Sequence, residues 1–500
     1  MKPIMTFVLP FYEETQDLTR QIHVLSKQTK ACEIIIFDER LRQTPNETLE
    51  RAKSMENVKI FQRAHRNRAA LFNDGVEQAE AGLVSILPAD IFPRPDFSER
   101  ISSESQKENF SVAYTDFEVD EPGKPLREEK LWPFHNVIEE RFSLGYFRVY
   151  EKKCVLENGG FDEDLDYAEE YDFRLRVQDR YAVKHIAQPL YLCEIQEAAE
   201  ADVATSRFFS PGAGSKGGFS YLFYTPEMER ETETVFKNYL KRIGCFLTHK
   251  NQTVAYTPNE EFEVMVSIVI PILNRRRFIG HTVQIVLDGT FNDFEILIVD
   301  NGSTDGTQDE VRSIADPRVR LVQHDGTCIA EALNRGISEA RGKYIAQLDS
   351  DDEYMPDTLE TMTAYMETHP KCGLAISYYD LIDIDSQPIE ELGVIKHLEF
   401  DRNNILRVDG GGALRFFHKK VLEEFGLYNV DDYGNFGEDY DMVLKISEKY
   451  DVDRVHKVLY RYRRHDDNTD VQRPPEMKVF NKNNARQDAL KRRRAINNDR

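Results

Sequence analysis

The sequence has 500 residues, of which 40% are hydrophobic and 31% charged, and its formal net charge is −23 at pH 7. A chain of this length exceeds what one hydrophobic core usually organises, so two domains are expected. No apolar run is long enough for a membrane-spanning helix. The acidic balance excludes a general nucleic-acid binder, because neutralising phosphates requires clustered lysine and arginine.

The cysteines and the first residues of the sequence indicate the cellular compartment in which the protein is expected. The six cysteines are scattered without a Cys-x-x-Cys pair, so neither a zinc cage nor a disulfide framework is expected. The first residues, MKPIM, do not have the pattern of a signal peptide. Both features predict a reducing, cytoplasmic location.

An internal repeat organises the chain. A strand ending in proline is predicted at residues 6–10 (TFVLP) and again at 267–271 (SIVIP). A second strand, ending in aspartate, is predicted at 34–38 (IIIFD) and at 296–300 (ILIVD). Both pairs are 261 or 262 residues apart. Continuous apolar runs of this length are typical of buried parallel strands.

The two copies keep a similar spacing further along. Asn73 on a predicted helix matches Asn334, and the acidic segment 169–172 (EEYD) matches 438–441 (EDYD). Strands alternate with helical stretches in both copies. Each copy is therefore predicted to be an α/β domain with a Rossmann-like, mostly parallel sheet, whose ligands bind at the carboxyl ends of the strands.

These landmarks predict four segments. They are a first domain at residues 1–205, a linker with a helix at 206–262, a second domain at 263–475, and a basic, polar tail at 476–500. The glycine-rich run at 210–218 lacks the Gly-Lys-Ser/Thr ending of a P-loop, so we interpret it as linker, although a phosphate-binding role fits its composition. The tail contains KRRR, which predicts either a solvated, disordered end or a peripheral contact with anionic lipid or an acidic partner.

The second copy carries a crowded acidic segment. The strand predicted at 343–348 runs directly into Asp349, Ser350, Asp351 and Asp352. Three carboxylates at one strand end repel one another unless a cation is present, and such oxygen ligands suit Mg²⁺ or Mn²⁺ held with substrate phosphates. The alternative is a solvated acidic turn before the next helix.

A basic segment follows much later in the second copy. His465 comes directly after 461–464 (RYRR). A neutral imidazole can ligate the metal, and guanidinium groups such as that of Arg464 can neutralise a departing diphosphate.

Two loops are predicted beside this site, after the first two strands of the second copy. The first contains Pro271 and Asn274, and the second begins at Asp300. Asp300 can accept a hydrogen bond from a base N–H or a ribose hydroxyl. Its alternative role is an Asx turn or a helix cap in a loop rich in glycine and serine.

An acid pair begins a later helix. Glu438 and Asp439 precede the apolar run MVLKI, where the helix dipole stabilises carboxylates. One ionised acid at this position can deprotonate an acceptor hydroxyl. Alternatively, both are ordinary acids of a first helical turn.

The order of these motifs resembles that of inverting glycosyltransferases of family 2, a GT-A-fold group that makes bacterial surface polysaccharides and related glycans. The resemblance covers residues 264 to about 470. It implies a nucleotide-sugar site formed by Pro271, Asn274, Asp300, Asn334, Asp349, Ser350 and Arg464.

The same resemblance implies roles for the remaining residues. Asp349, Asp351 and His465 would hold Mn²⁺ or Mg²⁺. Asp439 would be the general base, and Glu438 would orient it or the acceptor. The expected activity is transfer of a sugar from a nucleotide-sugar, with UDP favoured, to a hydroxyl of a glycan or glycolipid, in the cytoplasm or at the cytoplasmic face of a membrane.

The first copy retains little of this pattern. Asp90 is the one carboxylate left at the position of the acidic segment, and Gln196 stands where the second copy has His465. Glu13 replaces Asn274, whereas Asp38 and Glu170 match Asp300 and Asp439. We therefore predict a non-catalytic first domain. The alternatives are a synthase with two active domains and a glycan-binding scaffold without catalysis.

Overall fold

The computed structural model describes residues 2–12, 17–40, 46–195, 225–257, 260–390, 393–408, 410–434, 436–468 and 472–499. The described chain divides into two compact domains, one of residues up to 195 together with 225–239, and one of residues 240–499. The predicted boundary at residue 205, the glycine-rich run at 210–218, and the residues Glu13 and Gln196 lie outside the described residues.

The first domain alternates strands and helices in its first half. Its strands are β1 (Met5–Phe11), β2 (Cys32–Asp38), β3 (Val58–Gln62), β4 (Leu83–Ile86), β5 (Ile91–Pro93), β6 (Phe110–Asp120), β7 (Arg127–Glu129), β8 (Arg148–Glu151) and β9 (Ala182–Glu194). Its helices are α1 (Leu18–Ser26), α2 (Glu47–Ala52), α3 (Arg68–Gln78), α4 (Phe97–Lys107), α5 (Lys152–Glu157) and α6 (Glu169–Val177). The helix predicted in the linker is α7 (Pro226–Arg242).

The second domain repeats this series. Its strands are β10 (Val264–Ile272), β11 (Phe294–Asp300), β12 (Val319–Gln323), β13 (Gly342–Gln347), β14 (Glu353–Tyr354), β15 (Cys372–Ile382), β16 (Arg415–His418) and β17 (Asp451–Arg463). Its helices are α8 (Arg276–Leu287), α9 (Thr307–Arg312), α10 (Ile329–Glu339), α11 (Thr358–Thr368), a 3₁₀ turn (Asn404–Leu406), α12 (Lys419–Glu424), α13 (Val430–Tyr433), α14 (Glu438–Ser447) and α15 (Pro475–Asn498).

The two sheets have the same strand order. The first runs β3-β2-β1-β4-β8-β6-β9-β5, with β7 beside β6, and the second runs β12-β11-β10-β13-β16-β15-β17-β14. In the second sheet β10 pairs in parallel with β11 and β13, whereas β16 is antiparallel to both of its neighbours. The repeated α/β fold expected from the sequence is therefore confirmed. Both sheets are mixed, since β8, β7 and β5 are antiparallel strands of the first and β16 and β14 of the second.

The core of the second domain lies on its central strands. Every residue of β11 is buried, and Ile268, Ile296 and Phe416 belong to one apolar cluster that also includes Met362 of α11. Burying side chains of this kind stabilises a fold by about 1.5–3 kcal/mol each. This buried sheet fixes the loops that follow the carboxyl ends of its strands.

A glycine brings one helix close to the sheet in each domain. A Cβ atom at Gly336 of α10 would lie 2.4 Å from Cγ1 of Val269 on β10. A Cβ atom at Gly75 of α3 would lie 2.7 Å from Cγ2 of Val8 on β1. Glycine is therefore required at both places, because any larger side chain would push the helix away from the strand.

The C-terminal segment differs from the polar tail expected from the sequence, since it forms the helix α15. Buried residues recur along it at 483, 486, 490 and 493, the spacing of one helical face. Two of the four are arginines, so this face does not show as an apolar pattern in the sequence. Arg493 is completely buried and donates to the carbonyl of Arg402 (2.6 Å), and Arg492 pairs with Glu448 (2.9 Å). No helix within the described ranges is long and apolar enough to cross a membrane.

Candidate active site

The acidic segment after β13 lies at the carboxyl edge of the second sheet. Asp352 is buried and accepts hydrogen bonds from the hydroxyl of Tyr460 (2.6 Å) and the backbone N–H of Arg463 (2.7 Å), both on β17. Burial and the two nearby aspartates raise the pKa of Asp352 well above its usual range. Through these two hydrogen bonds, Asp352 connects the acidic turn to β17.

Asp351 meets the predicted histidine. Its Oδ2 atom lies 2.9 Å from Nε2 of His465, and both side chains are nearly buried. The ring of Phe278 stacks on the imidazole with the centroids 5.3 Å apart, and Nε of Arg275 lies 3.9 Å from Asp351 Oδ2. The fold thus brings together two potential metal ligands that are more than one hundred residues apart in the sequence.

These two side chains can supply only part of the coordination shell of a cation. Within the described ranges, no group of three or more His, Cys, Asp and Glu side chains is arranged to hold a metal ion. A Mg²⁺ or Mn²⁺ ion held with substrate phosphates needs only one or two protein ligands, because phosphate and water oxygens complete its shell. Asp351 and His465 fit such a site.

Arg415 joins the acidic turn to the acid pair of α14. It stands opposite Gln347 in the antiparallel register of β16 and β13, and its guanidinium forms an ion pair with Asp439. Burial raises the pKa of Asp349 to about 6, an effect that the positive charge of Arg415 opposes. Asp349, Arg415 and Asp439 therefore form one charged cluster.

The other member of the acid pair has a different environment. Glu438 is buried, and burial together with the charge of Asp439 raises its pKa to about 8. Its Oε2 atom has no hydrogen-bond partner among the described residues. Near neutral pH Glu438 is therefore protonated, and it lies beside Asp439, which forms an ion pair with Arg415.

Hydrogen bonds connect the two loops predicted to bind the nucleotide. The backbone N–H of Asn274 donates to Oγ of Ser303 (2.8 Å), and its side-chain oxygen accepts from the backbone N–H of Thr304 (2.9 Å). Asn274 has a φ of 56°, in the left-handed region. Pro271 lies just before this loop, in register with Val299 of β11.

A polar cavity of about 370 Å³ begins at Asp300. The cavity is also lined by Gln308, Gln323, His324 and Arg335. The Asp300 carboxylate accepts from the backbone N–H of Ser303 (3.1 Å) and from Nε2 of Gln308 (2.5 Å). Asp300 thus makes the Asx-type turn that was the alternative, and it also lines a cavity of ligand size.

Three further predicted residues have mainly structural contacts. Both polar atoms of the Asn334 side chain bond the backbone of Tyr428 (2.9 Å each), and Asn73 binds the backbone of Phe161 in the same way in the first domain. The carbonyl of Ser350 accepts from the hydroxyl of Thr282. The guanidinium of Arg464 lies 5.5 Å from the ring centroid of Tyr462.

The matching carboxylates of the first domain form ion pairs with arginines of the same domain. Asp38, the counterpart of Asp300, is bound by Arg40 through two guanidinium nitrogens (2.8 and 2.9 Å). Glu170, the counterpart of Asp439, is contacted by Arg148, by Arg68 and by the hydroxyl of Tyr150. The two arginines hold the pKa of Glu170 at about 2, against the effect of burial.

Arg415 and Arg463 were not found from the sequence. Arg463 is buried, and its guanidinium donates to the carbonyl of Asp351 (2.6 Å) and to Glu353 (2.6 Å). A signal for Arg415 was present, because Arg148 stands at nearly the same offset in the first copy. Nothing in the pattern RYRR distinguishes the buried Arg463 from the half-buried Arg461 and Arg464.

The fold and the site define a tandem α/β protein with an acid-rich cleft at the carboxyl edge of its second sheet. A sequence model of the family described as "Glycosyl transferase family 2" matches residues 6–158 and 267–426, one match in each domain. The matches together cover more than half of the chain. The protein therefore belongs to glycosyltransferase family 2.

Several curated relatives are similar to long parts of the chain. It is 25% identical to a glycosyltransferase of Rickettsia felis over 388 residues, covering 73% of this chain and 64% of that protein. It is 24% identical to the chondroitin synthase of Escherichia coli over 544 residues, covering 96% of this chain and 74% of that protein. With the chondroitin synthase of Pasteurella multocida it shares 27% identity over 282 residues, covering 51% of this chain and 27% of that protein. The chain thus spans less than two thirds of two of these relatives.

Solved structures are similar to parts of the chain. Residues 1–349 of S. aureus TarS in complex with UDP match with 17% identity and a TM-score of 0.35, covering 40% of this chain and 61% of that chain. A mannosyltransferase of Pyrobaculum calidifontis, in complex with GDP-Man and Mn²⁺, matches with 21% identity and a TM-score of 0.31, covering 46% and 64%.

Proposed function

We propose that the second domain is a metal-dependent, inverting glycosyltransferase that moves a hexosyl or N-acetylhexosaminyl group from a nucleotide-sugar, with UDP favoured, to a hydroxyl of a glycan or glycolipid. The observation that carries the proposal is the convergence of two pairs on one sheet edge. These are Asp351 with His465 and Arg415 with Asp439. One pair suits the diphosphate of a donor, and the other suits an acceptor hydroxyl.

The cavity at Asp300 supports a donor site at this position. Its size and its polar lining suit a nucleoside, and Asp300 offers carboxylate oxygens to a base N–H or a ribose hydroxyl. Asp351 and His465 would hold Mn²⁺ or Mg²⁺. When bound there, the cation supplies positive charge for the leaving diphosphate. Arg275, close to Asp351, contributes a further charge of the same sign.

The acceptor side depends on the acid pair. Asp439 forms an ion pair with Arg415, and its carboxylate can accept the proton of an acceptor hydroxyl. The oxygen that loses this proton attacks the anomeric carbon, and the bond from that carbon to the diphosphate breaks. A single displacement of this kind inverts the configuration. The protonated Glu438 can donate a hydrogen bond that orients the acceptor or Asp439.

For the first domain we propose a non-catalytic role. Asp38 is ion-paired with Arg40, and Glu170 is ion-paired with both Arg148 and Arg68. Neither carboxylate is therefore available to a substrate. The names of the two chondroitin synthases support a role in polysaccharide synthesis, and we propose a cytoplasmic location. We propose no membrane contact through α15, since Arg492 and Arg493 are engaged within the second domain.

The test is transfer and donor hydrolysis with a panel of UDP-, GDP- and TDP-sugars plus Mn²⁺, comparing the wild type with Asp351→Ala and Asp90→Ala. We expect turnover to be lost only in Asp351→Ala. Loss in both variants would indicate a synthase with two active domains. No metal-dependent turnover with any donor would contradict the proposal and favour the glycan-binding scaffold.

A further inference from the structure

The helix that presents the acid pair has no side-chain cap of its own. Its N-cap residue is Gly437, which has a φ of 94° and no side-chain cap bond. Helix α14 then starts immediately with Glu438 and Asp439. The first N–H groups of a helix lack partners within it, and a glycine cap supplies none. Within the turn, Oδ1 of Asp439 accepts from the backbone N–H of Tyr440 (2.7 Å), and neighbouring elements supply the remaining support.

Helix α15 supplies that support. Nδ2 of Asn481 donates a hydrogen bond to the carbonyl of Phe436 (2.7 Å), the residue just before the cap. A Cβ atom at Gly437 would lie 3.4 Å from Cβ of Asn481, so the two backbones are in close contact. Nζ of Lys482 lies 5.6 Å from the ring centroid of Phe436. The turn before α14 is thus packed directly against α15.

Further contacts continue this support along α14. Nε of Arg486 donates to the hydroxyl of Tyr440 (3.2 Å), next to the acid pair. Arg492 pairs with Glu448 at the other end of α14 (2.9 Å). The hydroxyl of Tyr433, on α13, donates to Asp488 (2.8 Å). Because α14 is held at both ends, its first turn cannot move independently of α15.

We propose that Asn481 is a positioning residue, whose hydrogen bond to Phe436 fixes the Gly437 turn and so places Asp439 for reaction with the acceptor. The inference rests on the proposed function, in which Asp439 takes the acceptor proton. Asp439 is held from two sides, by Arg415 on the sheet and by the turn that Asn481 secures. Loss of the Asn481 bond leaves the Arg415 pair in place and frees the turn.

The chain offers a matched control on the same helix. Nδ2 of Asn497 donates to the carbonyls of Gly244 (2.9 Å) and Phe246 (3.0 Å), and Asn497 is half-buried like Asn481. Asn481→Ala and Asn497→Ala each remove an amide that bonds backbone carbonyls. Only the amide of Asn481 contacts the turn before α14, at Phe436. Asn481→Asp keeps the size of the side chain and removes the donor.

The experiment measures kcat, the KM for the donor and the pH–rate profile for the three variants. We expect Asn481→Ala and Asn481→Asp to lower kcat about tenfold, because small displacements of a reacting group are costly. The KM for the donor should stay unchanged, and the pH of half-maximal kcat should move. Asn497→Ala should keep the wild-type kcat and pH profile, with a thermal midpoint similar to that of Asn481→Ala.

Equal kcat values in Asn481→Ala and Asn497→Ala would overturn the inference and leave α15 a purely structural element. Amide hydrogen exchange gives an answer that does not depend on turnover. Exchange at residues 438–441 should accelerate in Asn481→Ala and not in Asn497→Ala, and unchanged exchange would also overturn the inference. A wild type without transfer activity but with accelerated exchange in Asn481→Ala would instead contradict the proposed function alone.

Discussion

Arg415 of β16 forms an ion pair with Asp439 in the first turn of α14. The first domain has the same pair, Arg148 with Glu170, but there a second arginine, Arg68, also contacts the carboxylate. The position matching Arg68 in the second copy is Ile329. The second domain therefore keeps a carboxylate with one cation, whereas the first domain surrounds its carboxylate with two.

The role of Asp439 can be tested by Asp439→Asn, which keeps the shape of the side chain and removes the base. We expect kcat to fall about 10²–10⁴-fold, the usual contribution of general base catalysis. Donor affinity, measured by calorimetry, should remain close to that of the wild type. Asp431→Asn, at an exposed acid in the first turn of α13, is the control and should retain full activity. A loss of donor affinity that accounts for the whole effect would rule out the base assignment.

The Asp351–His465 pair predicts a change in metal response. His465→Ala should raise the Mn²⁺ concentration needed for half-maximal turnover by at least about 10–100-fold, the cost known for losing even an outer-shell partner of a metal ligand. His281→Ala removes a largely exposed histidine that pairs with Glu353 (3.1 Å) and should leave the titration unchanged. The measurement is turnover against Mn²⁺ concentration. Overlapping curves for His465→Ala and the wild type would remove His465 from the metal site.

The raised pKa of Glu438 predicts a pH dependence of stability. The folded second domain binds this proton with a pKa of about 8, well above the ordinary value of 4.5. The stabilisation is fully present below pH 4.5 and is lost as the pH rises towards 8, because only the unfolded chain then ionises readily. The free energy of unfolding should therefore fall by at most about 1.4 kcal/mol per pH unit in this window.

Glu438→Gln should flatten that dependence, since glutamine does not titrate. Urea unfolding of the second domain at pH 5, 6.5 and 8 measures the slope. Glu170→Gln serves as the comparison, because a folded pKa of about 2 confines its contribution to acid conditions, where stability is lost as the pH falls. Equal slopes for wild type and Glu438→Gln between pH 5 and 8 would show that Glu438 is not the titrating group.

The sequence predicted the repeated fold because its signals are local and strong. Apolar runs such as IIIFD and ILIVD form β2 and β11, and each ends at an aspartate at the sheet edge. The meeting of Asp351 and His465 was also expected, although only the fold shows that they lie 2.9 Å apart. Residues defined by long-range contacts were harder to predict.

Asn334 and the C-terminal segment illustrate that difficulty. The family resemblance implies that Asn334 binds the donor, yet both of its polar side-chain atoms bond the backbone of Tyr428, a partner that no local pattern reveals. The polar composition of residues 476–500 predicts a tail, whereas residues 475–498 form a helix. Its buried arginines, Arg486 and Arg493, donate to the backbone carbonyls of Leu406 and Arg402, respectively, which only tertiary structure brings close.

The first domain provides the last prediction, because its ion-pair cluster should matter for stability and not for transfer. Glu170→Ala removes the carboxylate that pairs with both Arg148 and Arg68, so Arg148 loses this ion pair. Removing such a partner lowers the free energy of unfolding by about 1–3 kcal/mol, so the first domain should unfold at a lower denaturant concentration. The initial rate of transfer per folded molecule should equal that of the wild type. A loss of turnover as large as that of Asp439→Asn, with the first domain still folded, would instead make Glu170 a second catalytic base and the chain a two-site synthase.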